Sequence, residues 1–287
     1  MKIINLVCFT IGLVMILASG ASAGKRFDHV VVVVLENADY EDVIQDPFFK
    51  TLATQGAIFA NFSAIAHPSY PNYLAMVAGS AFDNDSDEQT TIQATSIVDL
   101  LESKKLTWKA YAEDYPGNCF LDDDRGMYAR KHVPFASFDS IQNNPDRCAQ
   151  IVAGDQFKAD WKNHKLPNYS FFTPNMDNDG HDTSFGFAGE WLKKFIKPLL
   201  DDKVAMKRTL IEITFDEGTY FGNNQIYTLF LGSGIKPGTV IKKAYNHYNV
   251  LRTIEDNFEL GNLDREDKSA TVIEGLWKPE NLKKPRG

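Results

Sequence analysis

Ser69 opens the most chemically loaded stretch of the chain, His67-Pro68-Ser69-Tyr70-Pro71-Asn72. A helix beginning at Ser69 would present free backbone N–H groups and the positive end of its dipole to an anion beside that hydroxyl. Asn72 lies one turn on, on the same face, and Pro68 and Pro71 are tolerated because first-turn residues have no intrahelical N–H bond to lose. Position alone favours an ordinary serine N-cap. A serine hydroxyl must be helped to lose its proton, and no G-x-S-x-G elbow surrounds Ser69. A divalent cation can give that help. Glu36, Asn37, Asp216 and Glu217 bring oxygen donors to the ends of two expected strands. With the Ser69 alkoxide they make a shell suited to one Mg, Ca or Mn ion. His181 and His247 are then expected to hold the other oxygens of a bound phosphate as imidazolium donors, and one could protonate a leaving alcohol. The alternative for Asp177, His181 and His247 is a second metal site. Taken singly, each cluster is weak, because an acid at a strand end usually solvates a loop and a lone histidine is usually a satisfied polar residue.

The elements that must position these groups are legible from periodicity. Val30 to Leu35 is a β-branched run that predicts a strand buried on both faces, ending at Glu36-Asn37. Further strands are expected at 57–63, 106–112, 169–173, 209–215 and 225–232. Helices are expected at 47–55, 69–79, 96–105, 156–164, 187–200 and 248–260, the last closed by Gly261. The alternation predicts an α/β fold, a three-layer sandwich with a mostly parallel central sheet, in which polar residues at strand ends gather along one edge. Residues 113–150 lack periodicity and are read as an insertion near the substrate cleft. Its aromatics, Tyr115, Phe120, Tyr128 and Phe135, suit packing better than a cleft lining.

The chain has 287 residues, 44% hydrophobic and 24% charged, which are globular proportions. With 30 Lys and Arg against 38 Asp and Glu, a net charge of -8 argues against a nucleic-acid partner. Met1 to Ala23 reads as a signal peptide: a basic start, an apolar run, and Ala21-Ser22-Ala23 for cleavage. The apolar run is short for a membrane span, so a secreted or periplasmic protein with no stable membrane insertion is expected, residues 24–287 forming a single domain. In an oxidising compartment, the remaining pair Cys119 and Cys148 predicts one disulfide rather than a metal site or free thiols.

Five motifs, in order, resemble the metal-dependent phosphoesterases that include bacterial acid phosphatases and phosphatidylcholine-type phospholipases C, relatives of the alkaline phosphatase superfamily. They are Leu-Glu-Asn at 35–37, His-Pro-Ser-Tyr-Pro-Asn-Tyr-Leu-Ala at 67–75, Asn-Asp-Gly-His-Asp at 178–182, Thr-Phe-Asp-Glu-Gly at 214–218 and His-Tyr-Asn-Val-Leu-Arg-Thr-Ile-Glu at 247–255. Gly189-Glu190-Trp191-Leu192 resembles the family's Gly-Asp-x-Trp-Leu. The resemblance implies an alkaline phosphatase-like fold and Ser69 as a phosphorylated nucleophile. It also implies metal ligation by Glu36, Asn37, Asp216 and Glu217, and Asn72, His181 and His247 around the substrate phosphate. Glu36-Asn37 and Asp216-Glu217 depart from the Asp and Asp-His of two-metal relatives, which favours one ion. His67, Asp177, Asp182 and Glu190 are secondary candidates, the acids as groups that orient histidines. The expected activity is phosphate monoester hydrolysis. A phospholipase C or other phosphodiesterase is the enzymatic alternative, disfavoured by the short stretch after the last motif. A catalytically idle anion-binding protein is the alternative of another class.

Overall fold

The structure is a computed structural model that describes residues 24–278. The expected signal peptide lies outside the described residues. Eight strands form one sheet: β1 (His29–Leu35), β2 (Ala57–Phe59), β3 (Trp108–Ala112), β4 (Ile151–Ala153), β5 (Tyr169–Thr173), β6 (Thr209–Phe215), β7 (Thr228–Gly232) and β8 (Thr239–Ile241). Their spatial order is β8-β2-β7-β6-β1-β5-β3-β4. Only β7 pairs with its neighbours antiparallel; the other pairings are parallel. Every residue of β5 and β6 is buried, as is β1 from Val30 onward. Strands without a solvent face need cover on both sides, and the helices supply it. The principal ones are α1 (Pro47–Ala53), α2 (Ser69–Ala78), α3 (Ile97–Ser103), α4 (Gly154–Lys162), α5 (Phe185–Asp201) and α6 (His247–Phe258). Helix α2 packs on α6, and α1 on α5. The expected α/β sandwich with a mostly parallel sheet is the observed architecture.

The register of β1 on β6 sets up the site. Leu35 lies opposite Phe215, so the chain leaves both strands at one level, and the Asp216 N–H donates to the Leu35 carbonyl at 2.9 Å. Glu36 and Asp216 therefore sit side by side beyond the carboxyl ends of central strands, the usual place for a ligand in an open parallel sheet. The Glu36 N–H donates to the Asp179 carbonyl at 2.9 Å, which brings the loop after β5 to the same edge.

Several expected boundaries shift for physical reasons. The run 57–63 breaks into β2 and a short strand, Phe62–Ser63, that pairs with Tyr245–Asn246 instead of continuing in the main sheet. Strand β7 begins at Thr228, with Ile226 contributing an isolated bridge to Asp39. Helix α6 ends one turn before Gly261, because Glu259 itself takes the left-handed conformation that closes it (φ 56°). The excursion 113–150 is more ordered than its lack of periodicity suggests. It carries 3-10 turns at Arg130–His132 and Pro134–Ser137, and leads directly into edge strand β4, which periodicity missed. Cys119 and Cys148 form the expected disulfide. Tyr128 and Phe135 are buried in the core, and Tyr115 and Phe120 pack against it. Among the described residues no helix is long and apolar enough to cross a membrane.

Candidate active site

Ser69 is the first residue of α2, preceded by Pro68 in extended conformation, so it is not the N-cap. Its hydroxyl faces the strand ends. Oγ lies 3.1 Å from Glu36 Oε2 and 3.2 Å from Glu217 Oε1. All ten residues of α2 are buried, and the helix packs on α6 and on the segment 130–137. Asp87 caps the Tyr70 N–H at 3.0 Å, which removes one of the free donors expected at this helix start. Lys131 Nζ binds the other Asp87 oxygen at 2.7 Å.

The carboxylates around Ser69 are approached by side chains and backbone from four segments. Tyr73, one turn beyond Ser69 on α2, donates its hydroxyl to Glu36 Oε1 at 2.9 Å. His132 Nε2 lies 3.1 Å from the same oxygen and its Nδ1 lies 3.3 Å from Asp179 Oδ2, with the ring stacked on Tyr73 at 5.0 Å. The Asn37 N–H donates to Asp216 Oδ1 at 3.1 Å. His67 Nδ1 lies against Glu217 Oε2. Burial pushes the Glu36 carboxyl well above the usual carboxylate range, and the charges of Asp216 and Asp179 add to it. Burial likewise raises Asp216 and Asp179, and takes Glu217 up to about 8. His132, buried beside the Lys131 charge, falls to about 3, so it does not neutralise the cluster at pH 7. Four buried acids with neutral imidazole beside them lack positive charge at their centre.

That deficit is the test of whether a cation fits. Ser69 has one proton for its carboxylate partners, and Asp216 Oδ2 is buried without a hydrogen-bond partner. Among the described residues no three His, Cys, Asp or Glu side chains are grouped closely enough to hold a metal ion by themselves; Glu36 and Glu217 meet at the Ser69 hydroxyl. By donor chemistry, the oxygens of Glu36, Asp216, Glu217 and Ser69 are of the kind a hard divalent ion takes. The Asn37 side chain is exposed beside them at a left-handed backbone position (φ 45°).

Other expected residues are placed differently. Asn72 is completely buried. Its Oδ1 accepts from the N–H groups of Ile65 and Ala66, at 2.8 and 3.1 Å, and its Nδ2 donates to the carbonyls of Ala66 and Pro68, at 3.0 and 3.2 Å. Its amide is engaged by these backbone groups, and it holds the loop before Ser69. His247, at the start of α6, is buried and donates Nε2–H to the Asp216 carbonyl at 2.9 Å, while Nδ1 has no partner. Burial lowers its pKa to about 4, so the expected imidazolium is a neutral ring at pH 7. His181 is exposed, oriented by Asp182 at 2.8 Å, with its ring 6.1 Å from that of His132. Asp177 is half-buried, its carbonyl taking the Thr183 hydroxyl. Glu190 is on the outer face of α5, paired with Lys193 at 3.4 Å, and orients no histidine.

Tyr73, Asp87, Lys131, His132 and Asp179 were not singled out by sequence reasoning. Tyr73 was within reach of it, standing at i+4 from Ser69. The signal for Lys131 and His132 was a basic triplet, Arg130-Lys131-His132, following the acidic Asp122-Asp123-Asp124. Their approach to Glu36 depends on a tertiary fold that local periodicity does not encode.

The chain matches the Phosphoesterase family over residues 42–261. It is 40% identical over 273 residues to a probable acid phosphatase of Kluyveromyces lactis, covering 90% of this chain and 65% of that protein. It is 34% identical over 262 residues to a phosphatidylinositol-3-phosphatase of Mycobacterium tuberculosis, covering 89% of this chain and 85% of that one. The chain thus spans somewhat less than two thirds of the fungal relative's length. Among solved structures, a Vibrio parahaemolyticus protein in the alkaline phosphatase superfamily superposes with a TM-score of 0.62 at 13% identity, covering 91% of this chain and 73% of the other. That likeness is one of fold.

Proposed function

The chain belongs to the phosphoesterase family, and from that premise we propose that it is an exported, metal-dependent phosphomonoesterase working through a phosphoserine at Ser69. The observation that carries this reading is the Ser69 hydroxyl held between Glu36 and Glu217 at the ends of adjacent central strands. Names of the fungal relatives as acid phosphatases support the monoester assignment, and the Cys119–Cys148 bridge with the amino-terminal leader pattern supports export.

Glu36, Asp216, Glu217 and Ser69, with the exposed Asn37 amide beside them, would hold the cation. When bound, it would lower the pKa of the serine hydroxyl and offset charge on the phosphoryl oxygens. Ser69 passes its proton to a neighbouring ionised carboxylate, Oγ bonds to phosphorus, and the ester P–O bond breaks, its electron pair leaving with the alcohol oxygen, which takes the proton from that carboxyl. Water then attacks phosphorus and gives a proton to that carboxylate, and the Ser69 oxygen leaves with the electron pair of its P–O bond and takes that proton. Two displacements retain configuration at phosphorus. Tyr73 and the Asn37 N–H donate to the carboxylates and keep them in place, the His132 ring lies against Glu36, and Lys131 carries positive charge near them. Charge stabilisation of the transferring group is the main demand of this chemistry.

The test is hydrolysis of a small phosphate monoester and of phosphatidylcholine by chelated protein, by protein reloaded with Mg, Ca or Mn, and by Ser69→Ala. The expected result is monoester turnover restored by metal and reduced by at least about a thousandfold in Ser69→Ala. Metal-dependent turnover unaffected by the substitution would defeat the nucleophile assignment; preference for phosphatidylcholine would favour the diesterase.

A further inference from the structure

Directly beyond Glu217 the chain exposes two large rings, Tyr220 at 77% and Phe221 at 98% of their full surface. Exposed neighbouring aromatics are uncommon, and here they sit on a fastened loop. The Thr219 N–H donates to Asp39 Oδ1 at 3.2 Å, and the Thr219 hydroxyl binds Asp39 Oδ2. The Gly222 N–H donates to the Thr219 carbonyl at 2.9 Å, and the Gly218 N–H to Asn224 Oδ1 at 2.9 Å. Asp39 approaches so closely that a Cβ at Gly222 would lie 2.2 Å from its Oδ1. Tyr220 and Phe221 meet edge to face, centroids 5.4 Å apart at 87°. On its other side the Tyr220 ring lies 5.8 Å from that of His67, which pairs with Glu217, whose other oxygen receives the Ser69 hydroxyl.

We propose that Tyr220 and Phe221 are the wall of a leaving-group subsite that favours phosphate monoesters of alcohols bearing a flat aromatic ring. The inference rests on the phosphomonoesterase reading above and adds a substrate class to it. As Ser69 Oγ attacks in line, the leaving alcohol oxygen departs from the opposite side of phosphorus, and the chain of contacts from Tyr220 through His67 and Glu217 to Ser69 brings the wall to the edge of that site. An aromatic group can stack there or meet a ring edge, an arrangement worth more than apolar burial alone. A lipid-surface anchor is disfavoured by the segment 218–224, Gly-Thr-Tyr-Phe-Gly-Asn-Asn, which has no Lys or Arg, and by the net charge of -8.

The experiment compares kcat/KM for benzyl phosphate and methyl phosphate, whose alcohols are similarly acidic, using the full metal-loaded chain and its Y220A, Y220F and F221A variants. Inhibition by inorganic phosphate checks the phosphate site, and binding to phosphatidylcholine–phosphatidylglycerol vesicles is measured in parallel. We expect the wild type to prefer the benzyl ester, the preference to fall roughly three- to tenfold in Y220A, and Y220F to retain most of it. Equal losses on both esters, or no preference in the wild type, would overturn the subsite. Vesicle binding that disappears in F221A while selectivity stays unchanged would overturn it in favour of a membrane contact. Turnover of neither ester by the wild type would overturn the phosphomonoesterase reading and the subsite with it.

Discussion

One hydroxyl proton on Ser69 serves carboxylates on two strand ends, and the site is understandable as the management of that imbalance. Tyr73 relieves part of it by donating to Glu36, the kind of outer contact that fixes a ligand oxygen without touching the ion. Tyr73→Phe removes that donor with little loss of volume. Metal affinity is expected to fall by roughly 10- to 100-fold with the fold intact, measured by calorimetric titration of chelated protein. Unchanged affinity would separate Glu36 from the metal shell. Glu36, Ser69, Asp216 and Glu217 were legible because each stands where a strand stops or a helix starts. His132 was not, since it reaches Glu36 from an irregular segment far along the chain, and neither was the consumption of the Asn72 amide by backbone partners.

At the scale of elements, helix α2 and the strand pair β1 and β6 do the positioning. The strands were readable because burial on both faces produces unbroken apolar runs, and α2 because Gly79 ends it in a left-handed conformation (φ 67°) after a helical run. The short strand β4 and the break after Phe59 were hidden, because strands this short hold too few residues to show a period. The segment before Ser69 depends on Asn72, which binds the backbone of Ile65, Ala66 and Pro68. Asn72→Ala would leave those buried groups without partners, with an expected loss of about 2–4 kcal/mol in stability together with reduced turnover. Chemical denaturation and kcat are the paired measurements. Weakened phosphate inhibition with unchanged stability would return Asn72 to the substrate.

For the whole molecule, part of the acidic complement of the chain is buried. Besides the site, Glu212 on β6 is buried in the sheet and burial pushes its carboxyl up to about 8. The unfolded chain ionises this group near the ordinary glutamate value, so the folded state holds a proton the unfolded state has lost. Its contribution is therefore fully present below the unfolded pKa and is lost as pH rises through about 8. Between those values the unfolding free energy should fall by about 1.4 kcal/mol per pH unit on account of this group, and Glu212→Gln should remove that slope. Denaturation midpoints across pH test it; parallel profiles for the two proteins would count against a protonated Glu212. The same distribution of acids explains how a chain of net charge -8 can receive a phosphate dianion, once a cation lies among Glu36, Asp216 and Glu217. The central claim is a covalent phosphoserine at one residue, and the most direct measurement is acid quenching during monoester turnover followed by intact-protein and peptide mass analysis. The account predicts one phosphoryl group per chain on Ser69, formed within a turnover and absent from Ser69→Ala. Steady turnover with no phosphorylated protein at any quench time, together with inversion at a chiral phosphorus, would contradict it.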